Sequence, residues 1–138
     1  MNDAELLSWL LSSRTPSIRY LALRYLLDRP DRDPEAQAAW QAMKTSGPIP
    51  AILSGQTEAG NWIGERSYYT PKYTSTHWRL LLLTELAADG AASDFQRGVS
   101  YMLATTQAEM ERALSAGTQG LACFWGNLLR YALHAGRG

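Results

Sequence analysis

Cysteine is nearly absent from this 138-residue chain. Cys123 stands alone, so no intrachain disulfide can form and packing must hold the fold. Valine occurs once, at Val99, which leaves too few β-branched residues for a sheet protein and points to helices built from Leu and Ala. Charge of one sign is also lacking: 13 Lys plus Arg balance 13 Asp plus Glu. Zero net charge excludes binding to nucleic acid or an anionic membrane through a global field. The longest aliphatic run, Leu80 to Leu83, is far short of the ~20 residues a membrane span needs. The opening Met1-Asn2-Asp3-Ala4-Glu5 is acidic where an export signal carries positive charge, so the expected location is the cytoplasm.

What is present is 46% hydrophobic residues, five tryptophans and seven tyrosines. That length allows one globular domain, with about two-thirds of its unfolded surface buried. The expected class is all-α. A first helix, from about Asp3 to Ser13, carries Leu6, Leu7, Trp9, Leu10 and Leu11. A second is announced by Thr15-Pro16, a hydroxyl cap before a proline at the first helical position. Its apolar face reads Ile18, Leu21, Ala22, Tyr25 and Leu26. Asp33-Pro34 opens a third helix with Ala38, Ala39, Ala42 and Met43 inward, and Gly47-Pro48 closes it. These helices make up residues 1–47.

Residues 48–90 and 91–138 read as two hairpins. The first has a short helix near Pro50 to Ser54, a polar aromatic loop, and a helix capped by Thr74 or Ser75 that ends near Ala88. Leu80 to Leu83 make that helix apolar nearly all round, hence interior. The second has an amphipathic helix from Ser93 through Phe95, Val99, Met102 and Leu103 to Gln107, then a last helix, about Leu121 to Ala135, with Phe124, Leu128, Leu129, Ala132 and Leu133. An internal repeat links the hairpins. Trp78-x-x-Leu81-Leu82-x-x-x-Leu86 aligns with Trp125-x-x-Leu128-Leu129-x-x-x-Leu133, and Ile52-x-x-x-Gln56 with Leu103-x-x-x-Gln107.

The loop contains Gln56-Thr57-Glu58-Ala59-Gly60-Asn61-Trp62, a Gln-x-x-x-Gly-x-Trp motif. It resembles the glutamine–tryptophan repeat of the terpenoid cyclase and protein prenyltransferase superfamily, which includes the squalene–hopene cyclases. The runs Pro16 to Arg24, Leu27 to Pro34 and Tyr69 to Trp78 look like bacterial squalene-cyclase-like proteins. The resemblance implies α/α hairpins arranged as part of a toroid. It also implies that Gln56 closes backbone groups at a neighbouring helix end while Trp62 stacks on it. A carboxamide both donates and accepts, and Gly60 permits the turn, so the role is physically sensible. After Gln107 no Gly-x-Trp follows, so the second brace is expected to be weakened or rebuilt.

The catalytic signatures of that superfamily are missing. Asp28, Asp31 and Asp33 lie in a Pro-flanked link and read as turn and cap residues rather than a proton-donating acid motif. Cys123, His77 and His134 have no metal-site spacing, so neither zinc nor any other cofactor is expected. Cys123 reads as a small buried hydrophobe. Tyr69, Tyr73, His77, Trp78 and Trp125 gather where a toroid would open its cavity. They suit either the wall of an apolar pocket or plain packing. Asn127, on an apolar helix, needs a partner if it is buried.

A closed ring of six hairpins at about 50 residues each needs roughly 300 residues, so the chain accounts for an open arc. The expected function is an α/α repeat domain that binds an apolar, isoprenoid-like ligand or partner without autonomous catalysis. A second copy or another protein would sit at the open C-terminal end. The alternatives are a HEAT-like scaffold for protein–protein contact and a terpenoid cyclase completed by oligomerisation.

Overall fold

A computed structural model describes residues 2–63, 68–118 and 122–137. It is all-helical, with no strand among the described residues. The chain divides into two compact units, Met1–Ser54 with Leu86–Ala88, and Gly55–Glu85 with Asp89–Gly138.

In the first unit, helix α1 spans Asp3–Leu11 and is opened by a reciprocal cap. The Asn2 side chain accepts from the Glu5 N–H, and the Glu5 carboxylate accepts from the Asn2 N–H, both at 2.9 Å. Helix α2 spans Pro16–Leu21 and runs on into a π-helical turn, Ala22–Leu26. Thr15 occupies the cap position, but its hydroxyl makes no cap bond. Pro16 has no N–H to offer, and the Ile18 N–H goes to the Thr15 carbonyl at 3.1 Å instead. Helix α3, Pro34–Thr45, is capped by Asp33, whose carboxylate accepts from the N–H groups of Glu35 and Ala36. Helix α4, Pro48–Leu53, follows Gly47 at φ 86°.

α2 packs chiefly on α3. The core there is Leu23, Ala36 and Ala39, flanked by Leu11, Tyr20 and Leu27. Of the residues expected inward on α3, Ala39 and Met43 are buried, whereas Ala38 is exposed and Ala36 takes its place. Tyr25 and Leu26, expected on the apolar face of α2, are exposed. The π-helical turn is the cause: its wider winding turns Tyr25 and Leu26 off the core-facing stripe. α1 buries no residue, and Trp9 is largely exposed.

The second unit is a three-helix packing of α5, Thr76–Glu85, α6, Ser93–Ser115, and α7, Ala122–His134. Leu80 and Leu83 of α5, Phe95, Val99 and Met102 of α6, and Phe124, Leu128, Tyr131 and Ala132 of α7 are the buried apolar side chains of these helices. α5 is not interior all round: Leu82 is exposed and Leu81 half-buried, because a 3.6-residue period cannot turn four consecutive leucines inward. α6 continues past Gln107 to Ser115, since Ala108 to Leu114 are helix formers and the first glycine is Gly117. Ser75 is buried and its carbonyl accepts from the Arg79 N–H, but its hydroxyl has no partner and forms no side-chain cap. The His77 N–H instead reaches the Tyr68 carbonyl at 2.9 Å.

Candidate functional site

A tight turn brings the glutamine motif onto α6. The Gly60 N–H donates to the Thr57 carbonyl and the Thr57 N–H to the Asn61 carbonyl. Gly60 sits at φ 95°, and a Cβ there would lie 2.6 Å from the Arg97 carbonyl oxygen, so only glycine fits. The Gln56 amide nitrogen donates to the carbonyls of Gly60, at 3.0 Å, and Asp94, at 2.9 Å. Its oxygen accepts from the Arg97 guanidinium at 2.9 Å, and Arg97 also donates to the Asp94 carboxylate at 2.7 Å. Two carbonyl partners and one cationic donor fix which way the carboxamide faces. Trp62 and Gln56 both touch Gly98: a Cβ there would meet the Gln56 amide nitrogen at 3.1 Å and the Trp62 ring at 3.3 Å. The Trp62 N–H donates to the Thr76 hydroxyl.

Gln107, paired with Gln56 by the repeat, makes no such brace. It is exposed in the middle of α6 and donates to Glu111 one turn on. The glutamine that repeats the construction is Gln96. Its amide nitrogen donates to the carbonyls of Gly90 and Ala135, both at 2.6 Å. Its oxygen accepts from Arg137 at 3.0 Å. A Cβ on Gly90 would lie 2.0 Å from the His134 carbonyl oxygen. Ala135 directly follows α7, so Gln96 closes a carbonyl that a helix end leaves open. In each brace an arginine 41 residues from the glutamine supplies the third bond. That matching separation was the signal in the sequence, and alignment on the tryptophans passed over it.

The aromatic candidates come together between α5 and α7. His77, about 1% exposed, is the centre of the group. Its ring lies 4.8 Å from Phe124, 5.2 Å from Trp78, 5.4 Å from Tyr69 and 5.8 Å from Tyr131. Tyr73 meets Trp78 at a tilt, with ring centres 5.3 Å apart, but is otherwise exposed, and Trp125 meets Phe124 at 4.9 Å. The Trp78 indole donates to the Tyr69 carbonyl at 2.9 Å. At these separations the rings fill space against one another. Phe124 and Tyr131 join the group although sequence reasoning did not place them in it. Asn127 is half-buried on α7, and its amide makes no hydrogen bond among the described residues. Cys123 is exposed at the start of α7, not buried, because it falls on the face turned away from α5 and α6.

Burial raises the Tyr131 hydroxyl far above its ordinary value. Tyr68 is pushed up to about 12 by burial and by its bond to the Glu109 carboxylate. Burial holds His77 down at about 4, against an ordinary 6.5. Its Nδ1 faces the Tyr131 hydroxyl at 3.4 Å, and its Nε2 is buried without a partner. Below about 6.5 the unfolded chain binds a proton at this residue that the folded chain refuses. Stability is therefore expected to be level above that pH and to fall by up to about 3 kcal/mol towards pH 4. Urea midpoints measured from pH 7 to 5 check this, with His77→Phe expected to flatten the slope.

Among the described residues no group of three or more His, Cys, Asp or Glu could hold a metal. Asp33 caps α3, Asp31 pairs with Arg24 at 2.6 Å, and Asp28 occupies a left-handed turn at φ 49°. No helix of the described residues is long and apolar enough to cross a membrane. On the outer side of α7, Leu129 and Leu133 are each 55% exposed. Leu82 of α5 is exposed as well, and an Arg130–Glu85 ion pair ties the two helices together. No family model, curated protein or solved structure matches the chain.

Proposed function

We propose that the chain is an α/α-hairpin repeat domain of the squalene-cyclase and prenyltransferase-like kind, an open arc, that binds an apolar, isoprenoid-like ligand or partner and has no catalysis of its own. The observation that carries the reading is that three leucines of α5 and α7, Leu82, Leu129 and Leu133, are left 41%, 55% and 55% exposed. Each of these half-exposed leucines forgoes roughly 1 kcal/mol that cover would return. The two glutamine braces support the kinship, because that device ties hairpins together in the superfamily. His77 supports a non-catalytic role: it is neutral and enclosed by rings, out of reach of a substrate needing a proton.

Titration with farnesol, followed by tryptophan fluorescence, tests the reading. Saturable binding is expected, weakened about tenfold by Leu129→Ser with Leu133→Ser, as loss of about 1.4 kcal/mol of apolar contact requires. Squalene and farnesyl diphosphate should come back unchanged. Product appearing only in an associated form would favour a cyclase completed by oligomerisation. The HEAT-like scaffold has its own supporting observation in Trp9, Tyr25 and Leu26, which the first unit leaves exposed. Failure of every isoprenoid to bind, with a protein retained on those residues, would favour it.

A further inference from the structure

The first unit contains a hollow of about 370 Å³ that the isoprenoid reading does not use. Its wall comes from two helices and a link. α3 contributes Ala36, Gln37, Trp40 and Gln41, which share one helix face at i, i+1, i+4 and i+5. α2 contributes Tyr20, and the link before α3 contributes Asp31. Ala36 belongs to the buried core and Tyr20 packs against it, so the floor is fixed. Arg24 fixes the far side by pairing with Asp31 at 2.6 Å and donating to the Arg29 carbonyl.

Four groups in this wall are unused. The Tyr20 hydroxyl, the Trp40 indole N–H and the carboxamides of Gln37 and Gln41 have no hydrogen-bond partner among the described residues. Two aromatic rings beside two carboxamides call for a ligand with a C–H face and several groups that each donate and accept. A cation is disfavoured, because the Lys44 ammonium, 3.5 Å from the centre of the Trp40 ring, would repel it and Arg24 already answers Asp31. An anion would meet the Asp31 carboxylate. We propose that the hollow formed by Tyr20, Trp40, Gln37, Gln41 and Asp31 binds a neutral saccharide. A sugar ring stacks on Tyr20 or on the Trp40 face opposite Lys44, the carboxamides pair with adjacent hydroxyls, and the free side of Asp31 accepts another. The volume lies at the lower end of the ~300–1,000 Å³ range of small-molecule sites, which suits one or two sugar rings.

The test is a titration of the full ¹⁵N-labelled chain with glucose, galactose, N-acetylglucosamine and their disaccharides, with tetramethylammonium chloride as the cation probe. At least one saccharide is expected to shift the Trp40 indole and the Gln37 and Gln41 side-chain amide signals saturably, with a Kd on the order of 1 mM. Gln41→Ala, at an exposed position that leaves the fold intact, should weaken binding about tenfold, and Trp40→Ala should abolish it. The Leu129→Ser, Leu133→Ser variant should titrate like the original chain, which separates this site from those leucines. The proposal is overturned if no saccharide moves the Trp40 signal up to about 50 mM. It is equally overturned if tetramethylammonium moves that signal and sugars do not, or if Gln41→Ala binds unchanged.

Discussion

Phe124→Ala is expected to lower the free energy of unfolding by about 3–5 kcal/mol. Phe124 is buried and its ring meets four others, at 4.8 Å for His77, 4.9 Å for Trp125, 5.5 Å for Tyr68 and 5.8 Å for Tyr69. Stiff rings cannot collapse into the vacated space as flexible aliphatic chains can, so most of the cavity should persist. Urea unfolding should show a lowered midpoint with an unchanged slope. The experiment also decides what the aromatic group is for. A loss under about 1 kcal/mol would mean that the rings border a space rather than fill one.

Gly90→Ala is expected to cost about 3 kcal/mol or more. The added methyl would stand 2.0 Å from the His134 carbonyl oxygen and 2.9 Å from its carbon. Those are backbone atoms at the end of α7, with no rotamer by which to yield. Relief requires the end of α7 to move, which breaks the bond from Gln96 to Ala135. Gln96→Ala should cost about 2–3 kcal/mol, because it strips partners from two carbonyls and a guanidinium at once. Gln107→Ala should stay within about 0.5 kcal/mol, since its bond to Glu111 is exposed. Thermal unfolding of the three variants side by side reads all of this. Equal, small losses for the two glutamine variants would make the second brace incidental.

Much of the helical layout was legible because its signals are local. Asp33-Pro34 and Gly47-Pro48 bound α3 within a residue or two, through cap chemistry that needs no tertiary knowledge. The Gln56, Gly60 and Trp62 spacing pointed to a turn, and a turn is there. What failed depended on phase or on distance along the chain. One π-helical turn sent Tyr25 and Leu26 outward, although their spacing from Ile18 fits an ideal α-helix. Leu129 and Leu133 belong to the apolar pattern of the last helix yet are exposed, while the residue buried beside Leu128 and Ala132 is Tyr131. Gln96 was invisible to a comparison keyed on tryptophan, because its partners are backbone carbonyls, which leave no mark on residue identity. The hollow of the first unit was equally hidden: Tyr20 and Asp31 reach it from other segments than α3.

Gln96 and Arg97 are consecutive residues in the first turn and a half of α6, and they face different braces. Arg97 is held from upstream by Gln56, and Gln96 reaches downstream to Ala135 and Arg137. Helix ends are ordinarily where fraying begins. Here, unwinding the first turns of α6 would release the Gly60 turn and the end of α7 in one event. The start of α6 therefore behaves as a clutch: both attachments engage together or let go together. The two attachments of the second unit thus share one fate, set at a place where most helices are loosest.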